Sequence, residues 1–406
     1  MGFEQMWADI APLGRNSSTG GYFRQPFSSA ESELRDWFRG AAQARGFKVE
    51  TDPIGNLVAQ WRVPMIGYTG VDPGKGIMVG SHLDSVLDGG AYDGPLGVVA
   101  AFAAVDLLRE RGFAPARPIL LSVFTEEEGS RFGQACLGSR LATGAISWEE
   151  ARGLRDAAGT FLADALERVG LGDGAPLQLE ERVSTFVELH IEQGRHLVDR
   201  TEPIGVGAGI WPHGRYRFDF TGVANHAGTT VMEDRADPML TFAMTALAAN
   251  KAARLAGQRA TFGRVEVSPN ATNAVPSRVT AWLDARGDSA RAVSELVAAI
   301  MKKAQERADR DGTHVTITPE SVSGAVNFDE DLARWIAFEH GGSDWPIIPT
   351  AAGHDAGIMS AAGFPTAMLF VRNPTGVSHS PAEHAELADC LAGVEALAET
   401  LQRLAS

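Results

Sequence analysis

Residues 118–129 read Pro118-Ile-Leu-Leu-Ser-Val-Phe-Thr-Glu-Glu-Glu-Gly129. A continuous apolar run of this length predicts a buried strand, and the three adjacent carboxylates predict a loop at its carboxyl end. Upstream, Gly76-Ile-Met-Val-Gly-Ser-His82 has the same form, an apolar run that ends on a polar side chain. Between them lies a helical stretch from Gly97 to Arg111, closed by Gly112. Strand, helix and strand in succession predict an α/β sheet flanked by helices. In such sheets chemistry gathers beyond the carboxyl ends of the strands, where both His82 and the Glu126-Glu127-Glu128 run fall.

Working outward, Ala30 to Arg45 reads as an amphipathic helix and Val49 to Val63 as strand and turn, punctuated by Gly55-Asn56. The α/β pattern resumes late in the chain, with a helix near Asp329 to His340, a strand at Thr366 to Val371 and a helix from about Glu383 to Leu404. The rhythm between is different. Strands at Arg215 to Gly222, Thr261 to Ser268, Ser277 to Arg286 and His314 to Pro319 alternate with helices at Pro238 to Leu255 and Ala290 to Arg310. The order is βαββαβ, a known compact unit. We therefore expect residues 209–321 to form a domain inserted into a discontinuous one made of 1–208 and 322–406. A chain of 406 residues fits that division.

Hydrophobic residues make up 44% of the chain and charged residues 21%, enough for a packed core. The net charge of −15 argues against nucleic acid and anionic membranes as partners, because both are bound through Lys and Arg. The apolar stretch from Leu96 to Leu108 is too short to span a bilayer. Two cysteines cannot build a disulfide framework, and no leader pattern is seen at the N-terminus, so the expected compartment is the cytoplasm.

Four clusters carry ligand-type chemistry. The first is Ser81-His82-Leu83-Asp84-Ser85 with Asp93-Gly94 downstream; imidazole and carboxylate suit zinc-like ions, and Asp84 is placed to orient the imidazole. The second is the glutamate triplet, whose mutual repulsion needs an offsetting charge if the loop is buried. One glutamate of a pair can then bind metal while its neighbour serves as general base. The third, Val187-Glu-Leu-His-Ile-Glu-Gln-Gly194, reads as an alternating strand that ends on His190, Glu192 and Gln193. The fourth is Gly376-Val-Ser-His-Ser-Pro381, with Glu383 and His384 close behind.

With these motifs the chain resembles the amidase/hydantoinase/carbamoylase branch of the M20-type dimetal hydrolases. The resemblance rests on Gly80-Ser-His-Leu-Asp-Ser85, Glu127-Glu-Gly-Ser-Arg-Phe132, Glu188-Leu-His-Ile-Glu-Gln-Gly194, Ala224-Asn-His-Ala-Gly-Thr-Thr230, Gly353-His-Asp-Ala356 and Gly376-Val-Ser-His379, and covers nearly the whole chain. It implies a metal-dependent exopeptidase-like catalytic domain, a mixed sheet flanked by helices, with a ferredoxin-like insert as lid and dimerisation domain. It implies two divalent ions per chain, zinc or manganese first, cobalt or nickel as alternatives. Asp93 would bridge them, with His82 and His190 at one and Glu128 and His379 at the other. Glu127 would be the general base and His226 an electrophile toward the developing oxyanion. Asn273 and Arg286 would hold the substrate carboxylate, and Gln193 and His354 are further candidate contacts. A cis peptide after Asp93 is also implied.

The implied reaction is hydrolysis of a C–N bond in a carboxylate-bearing ureido compound, an N-carbamoyl-L-amino acid or allantoate, with release of ammonia. The implied assembly is a homodimer through the insert. An N-acyl-amino-acid amidohydrolase or dipeptidase is the alternative within the class, and a non-catalytic small-molecule binding protein on the same scaffold is the alternative outside it.

Overall fold

A computed structural model describes residues 2–61, 74–172, 177–338 and 344–406. The chain divides into two compact units, Met1–Gly209 with Asn327–Ser406, and Ile210–Val326. The last long strand of the second unit, His314–Ser323, continues past an irregularity at Pro319/Ser321. Val63 and His340, at the ends of two expected elements, lie outside the described residues.

The larger unit is built on a mixed nine-stranded sheet. Four of its strands are neighbours and parallel, in the spatial order Ile119–Phe124, Gly76–His82, Val183–Ile191 and Thr366–Val371. All their carboxyl ends therefore face one way. Antiparallel strands continue the sheet on both sides, Leu57–Trp61 beside Ile119–Phe124 and Ile204–Ile210 beside Thr366–Val371. Strands Gly76–His82, Ile119–Phe124 and Thr366–Val371 are buried along their whole length, as continuous apolar runs demand when helices cover both faces. Val183–Ile191 does alternate in sequence, but all but one of its residues are buried. Its polar face, Glu188 and His190, is turned to other buried groups and not to water.

Helix Pro95–Glu110 crosses this sheet. Its sequence is apolar around nearly the full circumference and twelve of its residues are buried, which makes it the central helix of the main core. Close approach is possible because Gly97 has no side chain: a Cβ there would lie 2.2 Å from the Leu189 carbonyl oxygen. The helix starts at Pro95 behind Gly94, whose φ of +86° only glycine adopts readily. The C-terminal helix runs Leu387–Ala405 and so begins later than its apolar pattern suggests, because Glu383 is turned inward to accept the Tyr92 and Asp93 amides. No helix among the described residues is long and apolar enough to cross a membrane.

The insert carries a four-stranded antiparallel sheet in the order His314–Ser323, His213–Thr221, Arg278–Arg286, Arg259–Ser268. Helices Pro238–Ala256 and Ala290–Asp311 cover one face, over Phe218, Phe220, Val279 and Leu283. The alternate residues of the central strands, Arg217, Asp219, Arg278, Thr280 and Trp282, fall on the other face.

Gly97→Ala should test the helix–sheet approach. Overpacking of this kind costs about 1–3 kcal/mol, and denaturant unfolding should show a loss in that range with little change in slope.

Candidate metal centre

The four parallel strands deliver their terminal residues to one place. His82 ends Gly76–His82, the glutamate triplet follows Ile119–Phe124, His190 is the penultimate residue of Val183–Ile191, and His379 lies on the loop after Thr366–Val371. Asp93 enters from the start of the central helix and is 4% exposed.

Its two oxygens face different partners. Asp93 Oδ1 is 3.1 Å from His190 Nε2 and 3.5 Å from His82 Nε2. Asp93 Oδ2 is 3.3 Å from His379 Nε2, and His379 Nε2 is also 3.3 Å from Glu128 Oε2. Two sets thus share one carboxylate, His82–Asp93–His190 and Asp93–Glu128–His379, each compact enough to hold an ion.

Both buried histidines are fixed through their far nitrogens. His82 Nδ1 lies 3.0 Å from the Asp84 carbonyl oxygen and His190 Nδ1 lies 2.9 Å from that of Ile191. A carbonyl can only accept, so Nδ1 carries a proton, and in the neutral ring Nε2 keeps a lone pair. Those Nε2 atoms are buried and without hydrogen-bond partners among the described residues. Orphaned acceptors beside carboxylates are what a divalent cation would satisfy, and histidine with carboxylate is a donor set for zinc-like ions.

The Asp84 carboxylate does not orient His82 as its spacing suggests; it lies 3.7 Å from Nδ1. It accepts instead from the amides of Glu127 and Glu128, at 3.2 and 3.1 Å, and so shapes the acidic loop. The three glutamates then separate in role. Glu126, at φ +56°, turns back to accept from the Arg131 and Phe132 amides. Glu127 sends Oε2 to within 3.6 Å of His82 Nε2. Glu128 faces His379.

Buried carboxylates crowd the centre, and the histidines between them offset part of their charge. Burial, with the Asp93 charge behind it, pushes the Glu128 carboxyl up to about 7. Burial also raises Glu127 well above the usual carboxylate range, against the pull of His82. For Asp93 burial acts the same way, but contacts with His190, His379 and His82 outweigh it and hold the acid well below its ordinary value. An outer ring supports Asp93. Glu383 accepts from the Asp93 amide at 3.0 Å and from Ser378 Oγ at 2.9 Å, and Gln193 Nε2 donates to Asp93 Oδ2 at 2.8 Å. Gln193 is thus brought to the shared carboxylate. The His354 ring stands edge-on to His190 with centroids 4.5 Å apart, its Nε2 buried.

Sequence reading left out Ser378, Glu383 and Cys136 as site residues. Glu383 had a signal, an acid four residues beyond His379. Cys136 had none: its thiol reaches Glu127 only through the fold, at 3.2 Å. The implied cis peptide after Asp93 is not found; the cis bond among the described residues is Ser268–Pro269.

In the insert, His226 and Asn273 come together. Strand Asn225–His226 pairs with Ala274–Val275, and the Asn273 carbonyl accepts from the Ala227 amide. His226 is exposed, and its Nδ1 accepts from the amides of Gly228 and Thr229 at 3.0 and 3.2 Å. With Nδ1 as acceptor, the neutral ring carries its proton on Nε2, an outward donor. Arg286 is elsewhere. It ends the strand whose Arg278 end leads to His226 and Asn273, eight residue steps or about 26 Å away. Its fork is engaged by Asp284, at 2.8 and 3.1 Å, because residues two apart on a strand share a face.

Residues 78–403 match Peptidase family M20/M25/M40. The chain belongs to this family. It is 35% identical to an N-carbamoyl-L-amino acid amidohydrolase of Geobacillus stearothermophilus, over 99% of this chain and 98% of that protein. It is 32% identical to an allantoate amidohydrolase of Escherichia coli K12, over 95% and 93% of the two chains. Among solved structures, an amidase of the hydantoinase/carbamoylase family from Burkholderia vietnamiensis superposes with a TM-score of 0.88 at 28% identity, covering 99% of this chain and 96% of that one. The M20 chain described here is a hydrolase acting on carbon–nitrogen bonds.

If the two sets act as separate ion sites, His379→Ala should lower the bound divalent metal from about two ions per chain to about one, whereas Asp93→Ala should remove both. Metal analysis after dialysis reads this directly.

Proposed function

We propose that the protein hydrolyses the C–N bond of a carboxylate-bearing ureido compound, an N-carbamoyl-L-amino acid or allantoate, releasing ammonia. The observation that carries this is the shared Asp93 carboxylate between two donor sets with Glu127 beside them. The named activities of relatives similar over nearly the whole chain support the substrate class.

Asp93, His82, His190, Glu128 and His379 would hold the two ions, zinc or manganese by donor type, with cobalt or nickel as alternatives. Ions held there would supply Lewis acidity, acidifying water and polarising the ureido carbonyl. Glu127 takes the proton from water as its oxygen bonds to the ureido carbon, then delivers it to the nitrogen that departs. His226 donates from Nε2 to the oxyanion, a contact worth about 2.7–4 kcal/mol in comparable sites. Asn273 and Arg286 fix the substrate carboxylate, Arg286 sharing its guanidinium with Asp284. Gln193 and His354 line the metal side. Two buried free cysteines are compatible with a cytoplasmic setting.

The functional unit in this reading is a homodimer through the insert. A small ureido acid cannot reach both ends of one strand about 26 Å long, so Arg286 and the His226–Asn273 pair serve one substrate only if they come from two copies. Strand Arg259–Ser268 is an edge of its sheet, and the adjoining helix exposes Leu240, Met244, Leu247 and Leu255 as a stripe. A second copy would continue the sheet and cover that stripe.

Ammonia release from N-carbamoyl-L-amino acids, N-carbamoyl-β-alanine and allantoate tests the substrate class; silence on the whole panel would favour an N-acyl substrate or a binding role. Glu127→Gln should cut kcat by on the order of 10²–10⁴-fold with metal content unchanged. Mixing inactive Glu127→Gln and His226→Ala chains tests the shared site. Mixed dimers would hold one complete centre each, restoring about a quarter of wild-type activity after random exchange. No restoration would place His226 with the centre of its own chain.

A further inference from the structure

The loop carrying Glu127 is clamped by a second segment, 136–138. The amides of Cys136, Leu137 and Gly138 donate to the carbonyls of Glu127, Glu126 and Thr125, at 2.7, 3.1 and 2.8 Å. At the first rung of this clamp Cys136 holds a left-handed conformation, φ +55° and ψ 35°, which favours glycine. Its side chain is 4% exposed and makes no disulfide. That conformation brings the thiol to Glu127 Oε1 at 3.2 Å, while Oε2 of the same carboxylate faces His82 Nε2. Burial first, and the Glu127 charge second, push the thiol well above its ordinary range, so it remains a donor at neutral pH.

We propose that Cys136 is a positioning residue for Glu127: its Sγ–H holds Oε1, so that Oε2 alone is presented for proton transfer. The idea rests on Glu127 being the general base. A carboxylate free to rotate offers either oxygen at varying distance; one with an oxygen tied keeps a single geometry, and proton transfer depends on that geometry. The hydrogen bond leaves the substrate untouched, so it acts on turnover and not on binding.

The test compares Cys136→Ala, Cys136→Ser and Cys136→Gly with Glu127→Gln, using whichever ureido acid of the panel above the wild-type protein turns over. Cys136→Ala should lower kcat on the order of tenfold, with KM and metal content unchanged. Cys136→Ser, which keeps a donor, should recover most of that loss. Cys136→Gly should be as slow as the alanine variant while melting no lower, since glycine accepts the left-handed backbone. Wild-type kcat in both Cys136→Ala and Cys136→Gly, with Glu127→Gln inactive, would overturn the proposal alone. Metal content falling in step with kcat would also overturn it, by making the thiol a support of the metal centre. Retained turnover in Glu127→Gln would overturn the base assignment and this inference with it.

Discussion

A carboxylate buried to 4% exposure with its two oxygens turned to two different groups of side chains is the constraint on which the larger unit is organised. Asp93 must be held against desolvation, aimed, and approached from four directions at once. The central helix supplies the aim: its N-terminus begins two residues later, and backbone amides there favour a negative charge. Glu383 supplies the backbone hold and Gln193 the side-chain contact. The approach is a property of the sheet. Four neighbouring parallel strands end on the same side, so residues separated by almost 300 positions meet within hydrogen-bonding range. Gly94 lets the helix begin against the imidazole it serves, since a Cβ there would lie 2.5 Å from the His82 ring.

Much of this was legible from residue order. Apolar runs 76–82 and 118–124 marked buried strands with polar residues at their carboxyl ends, and 366–371 read as a further strand. The βαββαβ rhythm matches strands and helices found between His213 and Ser323, the last strand continuing through an irregularity at Pro319/Ser321. What stayed hidden were contacts that depend on how loops fold back. Asp84 sits two residues from His82, and spacing alone pairs their side chains. The chain instead offers its carbonyl to the ring and spends the carboxylate on two amides of the acidic loop. The glutamate triplet is the same lesson in reverse. Three identical side chains in sequence acquire three environments, because each successive residue leaves a curved loop in a new direction.

The insert presents its chemistry in another way. His226, on the short strand Asn225–His226, and Asn273, on the turn before its partner strand, lie beyond one end of the sheet and Arg286 at the other, and the strand between them sets their separation. Proximity in a motif list therefore says nothing about proximity in one substrate. The tautomer of His226 is likewise invisible in sequence. It follows from two backbone amides that donate to Nδ1, which leave the outer nitrogen as a donor.

Around the metal centre three residues with side chains hold left-handed backbone, as do Phe27, Asp88 and Thr201 of the same unit. Glu126, Cys136 and His379 all hold φ near +55°, where residues with a side chain cost about 1–3 kcal/mol. Glycine would relieve each of them and would remove a contact: the carboxylate that braces the acidic loop, the thiol on Glu127, the imidazole opposite Glu128. His379 is the most telling, since its side chain is half exposed and little packing opposes relaxation. Strain retained at these three positions, beside buried acids, is tolerated because a dense core elsewhere supplies the stability. Helix Pro95–Glu110, apolar on nearly every side, is the element that connects the two: it anchors that core and begins two residues after Asp93.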